Sequence, residues 1–175
     1  MNYTKKSPTK DELANALLSM LKEKSFINIT VTELVKKAGV ARASFYRNFG
    51  STSDVMNYLI DSFIQRMFVM IRPVIESPDN RTWRDFLFEY IYFLRSSENH
   101  YFQIQSDNMA LLFTNFITKI RDIKLSYPTE NYSELRVLSA KLALANGVLI
   151  DWKETGARES TEEIVDFIMN CISRF

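Results

Sequence analysis

The chain is poor in the residues that most often staple, hinge or arm a small protein. One cysteine among 175 residues, Cys171, excludes an intrachain disulfide framework. One histidine, His100, argues against both a histidine-built metal site and a Ser-His-Asp triad; beside Asn99 it reads as a loop residue. Four glycines and four prolines argue against a collagen-like repeat, a disordered linker and a turn-rich β-sandwich. The longest uncharged run, Asn108 to Thr118, is far too short to span a bilayer. No apolar stretch follows Met1–Lys6, so no secretory signal is visible and a cytoplasmic location is expected. A P-loop, nucleophile elbow, zinc motif and dinucleotide fingerprint are all missing, so no enzyme, cofactor or metal is expected.

What is there is a soluble-globular composition, 46% hydrophobic and 25% charged, with charge unevenly placed. Residues 1–50 carry nine Lys and Arg against four Asp and Glu, whereas residues 51–175 carry thirteen against seventeen. The basic first third suggests a polyanion-binding head on a slightly acidic body.

Residue order supports that division. Ser7-Pro8-Thr9-Lys10-Asp11-Glu12 has the form of a helix start, and Leu13, Ala14, Leu17, Leu18 and Leu21 follow as one apolar stripe. Thr30-Val31-Thr32-Glu33 has the spacing of a capping box. Val31, Leu34, Val35 and Ala38 give a short buried face, ended by Gly39 as a left-handed cap. In Ala41 to Phe49, a spacing of about 100° per residue puts Ala41, Phe45 and Phe49 on one side, with Ala43 and Arg47 opposite and Ser44 and Tyr46 on the flanks. Small residues at 43 and 44 let a backbone approach a groove floor, and Arg42, Tyr46 and Arg47 can reach phosphates or base edges. Two short helices joined by a glycine turn, the second basic, make a helix-turn-helix.

Val31-Thr32-Glu33-Leu34 through Ala38-Gly39-Val40-Ala41-Arg42-Ala43-Ser44-Phe45-Tyr46-Arg47-Asn48-Phe49-Gly50-Ser51 resembles the signature of the TetR/AcrR transcriptional regulators, over roughly residues 8–60. The resemblance implies an all-α fold: a three-helix DNA-binding domain (1–50), then a helical effector and dimerisation domain (51–175) with the fourth helix as lever. It places Thr30, Arg42, Ala43, Ser44, Tyr46, Arg47, Asn48 and Ser51 at the DNA. Three positions depart from the usual pattern: Ala41 stands where a capping serine is frequent, Asn48 replaces a common histidine, and Thr52 replaces a frequent lysine.

The body reads as helices throughout. Ser51–Asp54 opens one that Arg72-Pro73 is expected to break, and Thr82–Asp85 opens the next. Another runs from about Asp107 to Lys124. Tyr127-Pro128-Thr129 opens a long helix closed by Gly156, and Ser160–Glu163 caps the last. The stretch from Asn146 through Ile168 resembles the subgroup that regulates dihydroxyacetone kinase operons. Ala140, Ala143 and Gly147 form a small-residue strip beside Leu138, Leu142 and Leu149, and Ile164, Ile168 and Ile172 stripe the final helix. By the resemblance these two helices pair with their twins in a homodimer, so Leu142, Gly147, Leu149, Ile164, Ile168 and Ile172 are the expected interface. Trp83, Tyr90, Phe93, Phe113, Phe116 and Trp152, with Tyr92 and Phe102, are candidates to line an effector cavity; an aromatic stripe at this spacing equally fits plain core.

The expected function is a homodimeric regulator, in the first instance a repressor, that binds a palindromic double-stranded operator and answers to a small-molecule or protein effector. The alternative is an activator that docks a coactivator and has a filled core.

Overall fold

The computed structural model describes residues 8–96, 101–125 and 132–174, with only the backbone described at 120–125, 132 and 135. Ser7, His100 and Tyr127–Thr129 fall outside the described residues. The eight α-helices described are α1 (Pro8–Met20), α2 (Val31–Ala38), α3 (Arg42–Asn48), α4 (Thr52–Glu76), α5 (Asn80–Arg95), α6 (Ser106–Leu125), α7 (Tyr132–Glu154) and α8 (Thr161–Ile172). Single 3-10 turns at Phe26–Asn28 and Tyr101–Gln103 precede α2 and α6. Among the described residues there is no strand, and the all-α expectation holds.

Local chemistry sets most of the ends. Thr30 and Glu33 form a reciprocal capping box on α2, as do Ser51 and Asp54 on α4 and Ser160 and Glu163 on α8. Gly39, at φ +68°, closes α2 with its N–H on the Lys36 carbonyl, while the Val40 N–H reaches the Val35 carbonyl. Residues with a Cβ rarely adopt that backbone, hence the glycine. Gly156 ends α7 in the same way, with the Ala157 N–H on the Trp152 carbonyl at 2.8 Å.

Two expected boundaries need correction. Pro73 does not break α4, which continues to Glu76. Proline costs the bond to the carbonyl four residues back. Here Pro73 and Val69 both lie on the exposed side, where water can satisfy that carbonyl. The next helix starts at Asn80, not Thr82, because Asp79 caps it through the Thr82 N–H. That bond holds the Asp79 carboxyl below its usual pKa.

α1 packs on α2, α3 and α4; α4 packs on α5 and α6; α8 lies between α5 and α7, and α6 lies against α7. A single apolar core runs from Leu13 to Ile172. The centre of its body portion is Phe63 of α4, within 5.0–6.3 Å, ring centre to ring centre, of Phe93, Tyr101, Phe113 and Phe116. Because α4 buries residues along its whole length, from Val55 to Val74, it is shared by head and body. Among the described residues, no helix is long and apolar enough to cross a membrane.

Candidate nucleic-acid interface

α3 is held from within by aromatic rings. Phe45 is fully buried and Phe49 nearly so, and the Phe49 ring meets Tyr58 of α4 edge-on at 5.9 Å. The Tyr58 hydroxyl in turn donates to Asp11 of α1 at 2.7 Å, and burial together with that carboxylate pushes its pKa up to about 12. Lys10 of α1 sits over the Phe49 and Tyr58 rings. Two elements, α1 and α4, therefore hold the inner face of a helix only two turns long.

Its outer face carries Arg42, Ala43, Tyr46 and Arg47, all exposed, with Ser44 and Asn48 half-buried beside them. The Arg42 guanidinium donates to Thr32 Oγ1 and to the Tyr46 hydroxyl, each at 3.1 Å, and lies 5.5 Å from the Tyr46 ring centre. Arg47 donates to Ser44 Oγ at 2.7 Å. Neither guanidinium meets a carboxylate among the described residues. Hydroxyl partners orient a cation without neutralising it, so this surface keeps two aligned positive charges for an external anion. Asn48 spends one amide hydrogen on the Ser44 carbonyl and keeps the other.

The flanking candidates differ in what they have left to offer. Thr30 gives its hydroxyl to the Glu33 carboxylate at 2.8 Å and accepts from the Glu33 N–H, so the capping box uses up its donor. Lys24, bonded to Glu33 at 2.6 Å, together with the Thr30 bonds, pulls the Glu33 carboxyl down to about pKa 2. Ser51 accepts from the Asp54 N–H and retains its hydroxyl proton. Thr32 is not among the candidates drawn from sequence, yet it stands exposed at the second position of α2 and joins Arg42. Its outward register in the capping box was the available signal.

The surface expected for a partner copy needs correction. Leu142, Leu149, Ile164, Ile168 and Ile172 are each at most 6% exposed within the single chain. Their side chains close the chain's own core between α5, α7 and α8. The opposite side of α7 is what remains outside: Val137, Ala140, Ala143 and Gly147 are exposed, as is Phe167 on α8. Of the expected interface residues, Gly147 alone lies on that outer side.

The six expected cavity-lining aromatics also lie in the core, at most 9% exposed. Tyr90 stacks on Phe86 and meets Phe113 edge-on, and Trp152 meets Phe102. Among the described residues, the Tyr90 hydroxyl, Trp152 Nε1 and Asn146 Oδ1 are buried without a hydrogen-bond partner, and burial raises the Tyr90 pKa. A separate groove of about 600 Å3 opens between α5 and α8, lined by Phe88, Glu89, Ile91, Tyr92, Arg95, Thr161 and Glu162. Of the eight aromatics named from sequence, it includes Tyr92 alone.

Residues 13–59 match the family model described as bacterial regulatory proteins, tetR family. This first third of the chain is similar to the DNA-binding segment of TetR-family proteins. The match spans α2 and α3 and runs into α4, so it includes the whole helix-turn-helix built above. The TetR-type fold extends over the remainder. A TetR transcriptional regulator from Streptococcus agalactiae superposes with a TM-score of 0.68 at 17% identity, covering 94% of this chain and 93% of that one. The dihydroxyacetone kinase operon activator DhaS superposes with a TM-score of 0.53 at 15% identity, covering 95% of each chain. At such identities the likeness is one of fold, and it does not separate the kinase-operon subgroup from other TetR proteins. Among curated proteins, the nucleoid occlusion factor SlmA of Marinomonas is 29% identical over 76 residues. That match takes in 43% of this chain and 39% of the length of SlmA.

Proposed function

We propose that this chain is a homodimeric, sequence-specific DNA-binding regulator of transcription that represses by occupying a palindromic operator. The observation that carries this reading is the outer face of α3, where Arg42 and Arg47 are held by hydroxyls and left unneutralised. Ala43 leaves room for the helix to approach the groove floor. Arg42, Ser44, Tyr46, Arg47, Asn48 and Thr32 supply phosphate and base contacts, with Ser51 at the start of α4. Residues 1–50 are the DNA-binding unit and the helices after them the dimerisation and effector unit. A cytoplasmic location follows from this role.

Dimerisation runs through the outer sides of α7 and α8. Ala140, Ala143 and Gly147 allow two copies of α7 to approach closely, with Val137 and Phe167 as apolar anchors, in a two-fold contact. Two α3 helices about one DNA turn (~34–36 Å) apart then read the two halves of a palindrome. A second reading, a docked protein coactivator, is favoured by the open groove beside Tyr92, which is 77% exposed.

Selection of duplexes from a random pool by the purified full chain tests the reading. The expected product is an inverted repeat with half-sites centred about ten base pairs apart. Recovery of no enriched sequence would overturn it.

A further inference from the structure

Asn108 is the one polar side chain fully buried among the described residues, at 2% exposure. It stands in the first turn of α6, in the body, yet all its side-chain partners are in the head. Its amide donates to the carbonyls of Leu21 and Lys24 at 3.0 and 3.1 Å, just past the end of α1. Its Oδ1 accepts from the Phe26 N–H at 3.0 Å. The Gln105 N–H adds a second bond to the Leu21 carbonyl, and Lys22 reaches Gln103. Carbonyls at a helix end have no intrahelical partner, and here the body supplies one.

The segment 101–108 is tied equally firmly to the rest of the body. Tyr101 meets Phe63 of α4 and Phe93 of α5, and Phe102 meets Trp152 of α7. Lys153 of α7 donates to Ser106 Oγ at 3.2 Å. A head joined to its body through α4 alone can turn about that helix; a second attachment at a distance removes the freedom. We infer that Asn108 is a positioning residue for DNA recognition: it clasps the end of α1 to α6 and α7 and so sets the separation of the two α3 helices in the dimer. This inference rests on the dimeric DNA-binding reading above.

The test compares the full chain with Asn108→Ala in two measurements. By amide hydrogen exchange, the Phe26 N–H should exchange at least about tenfold faster in the variant. The Asn28 N–H, bonded locally to the Ser25 carbonyl, should not change. By mobility shift, the wild type should lose at least about tenfold in affinity when two base pairs are inserted between the selected half-sites. The variant should lose less than about threefold on that insertion, with affinity for a lone half-site within about twofold of wild type. A variant that keeps the full spacing penalty overturns the inference. So does one whose half-site affinity collapses, since Asn108 would then be part of the head's own fold. If the alanine variant does not fold, Asn108→Asp carries the DNA measurement: it keeps the acceptor for Phe26 and loses both donors. Failure of the wild type to bind DNA would overturn the regulator reading, and the clasp itself would then stand or fall on the exchange comparison.

Discussion

The head and the body of this protein are stabilised by different means. In the head, α2 fully buries only Leu34 and α3 only Phe45, and the shape of the pair is set by a capping box, a left-handed glycine and two aromatic anchors. In the body, α5 alone buries Trp83, Phe86, Leu87, Tyr90, Ile91, Phe93 and Leu94, and order comes from ring against ring. A helix that spends one side chain on the core leaves most of its surface for a ligand. α3 therefore presents an almost complete outer face, whereas α5 and α7 present only what the core has not taken.

The largest expected effect comes from removing the head's central anchor. Phe45→Ala should cost about 3–5 kcal/mol in denaturant unfolding, with exchange protection lost first in α1–α3 while α5–α8 stay protected. Uniform loss along the chain would erase the distinction between the two regions. A break in the body's outer surface comes next. Phe167→Glu, at a side chain 55% exposed, should weaken self-association at least about tenfold in sedimentation equilibrium and leave helicity intact. An unchanged dimer would remove α8 from the interface.

Two smaller effects sharpen the view that the head relies on its helix ends. α3 begins at Ala41 with no side-chain cap, so Ala41→Ser should stabilise the head by about 0.5–2 kcal/mol in thermal unfolding. A neutral or lower melting temperature would mean that another partner already serves that end. The smallest effect is acid-dependent. Folding lowers the Glu33 carboxyl from 4.5 to about 2, so its ionised form contributes stability that is full above pH ~4.5 and lost as pH falls towards 2. Exchange protection in α2 should decline over that window, and Glu33→Gln should flatten the decline.

Legibility followed the same division. The caps at Thr30, Ser51 and Ser160 and the glycine at 39 are short-range chemistry, and each was readable from residues within four positions. So was the inward turn of Phe45 and Phe49. In the body the stripes of α7 and α8 were visible, but the two sides of each helix compete for burial. The apolar stripe of Ile164, Ile168 and Ile172 reads in sequence as a surface for a partner copy, although α5 and α7 of the same chain cover it. Asn108 acts through partners distant in sequence, so no local pattern marks it, whereas Thr32 is marked only by its outward register in the capping box. Pro73 signals an end to α4, and only its exposed position explains why the helix continues.

The account turns on whether the outer face of α3 is what meets DNA. The most direct measurement is the affinity of the double variant Tyr46→Ala, Arg47→Ala for the selected duplex by mobility shift at low salt, beside its thermal unfolding. The account predicts affinity lower by at least about tenfold with an unchanged melting temperature. Wild-type affinity in a fully folded double variant would contradict it.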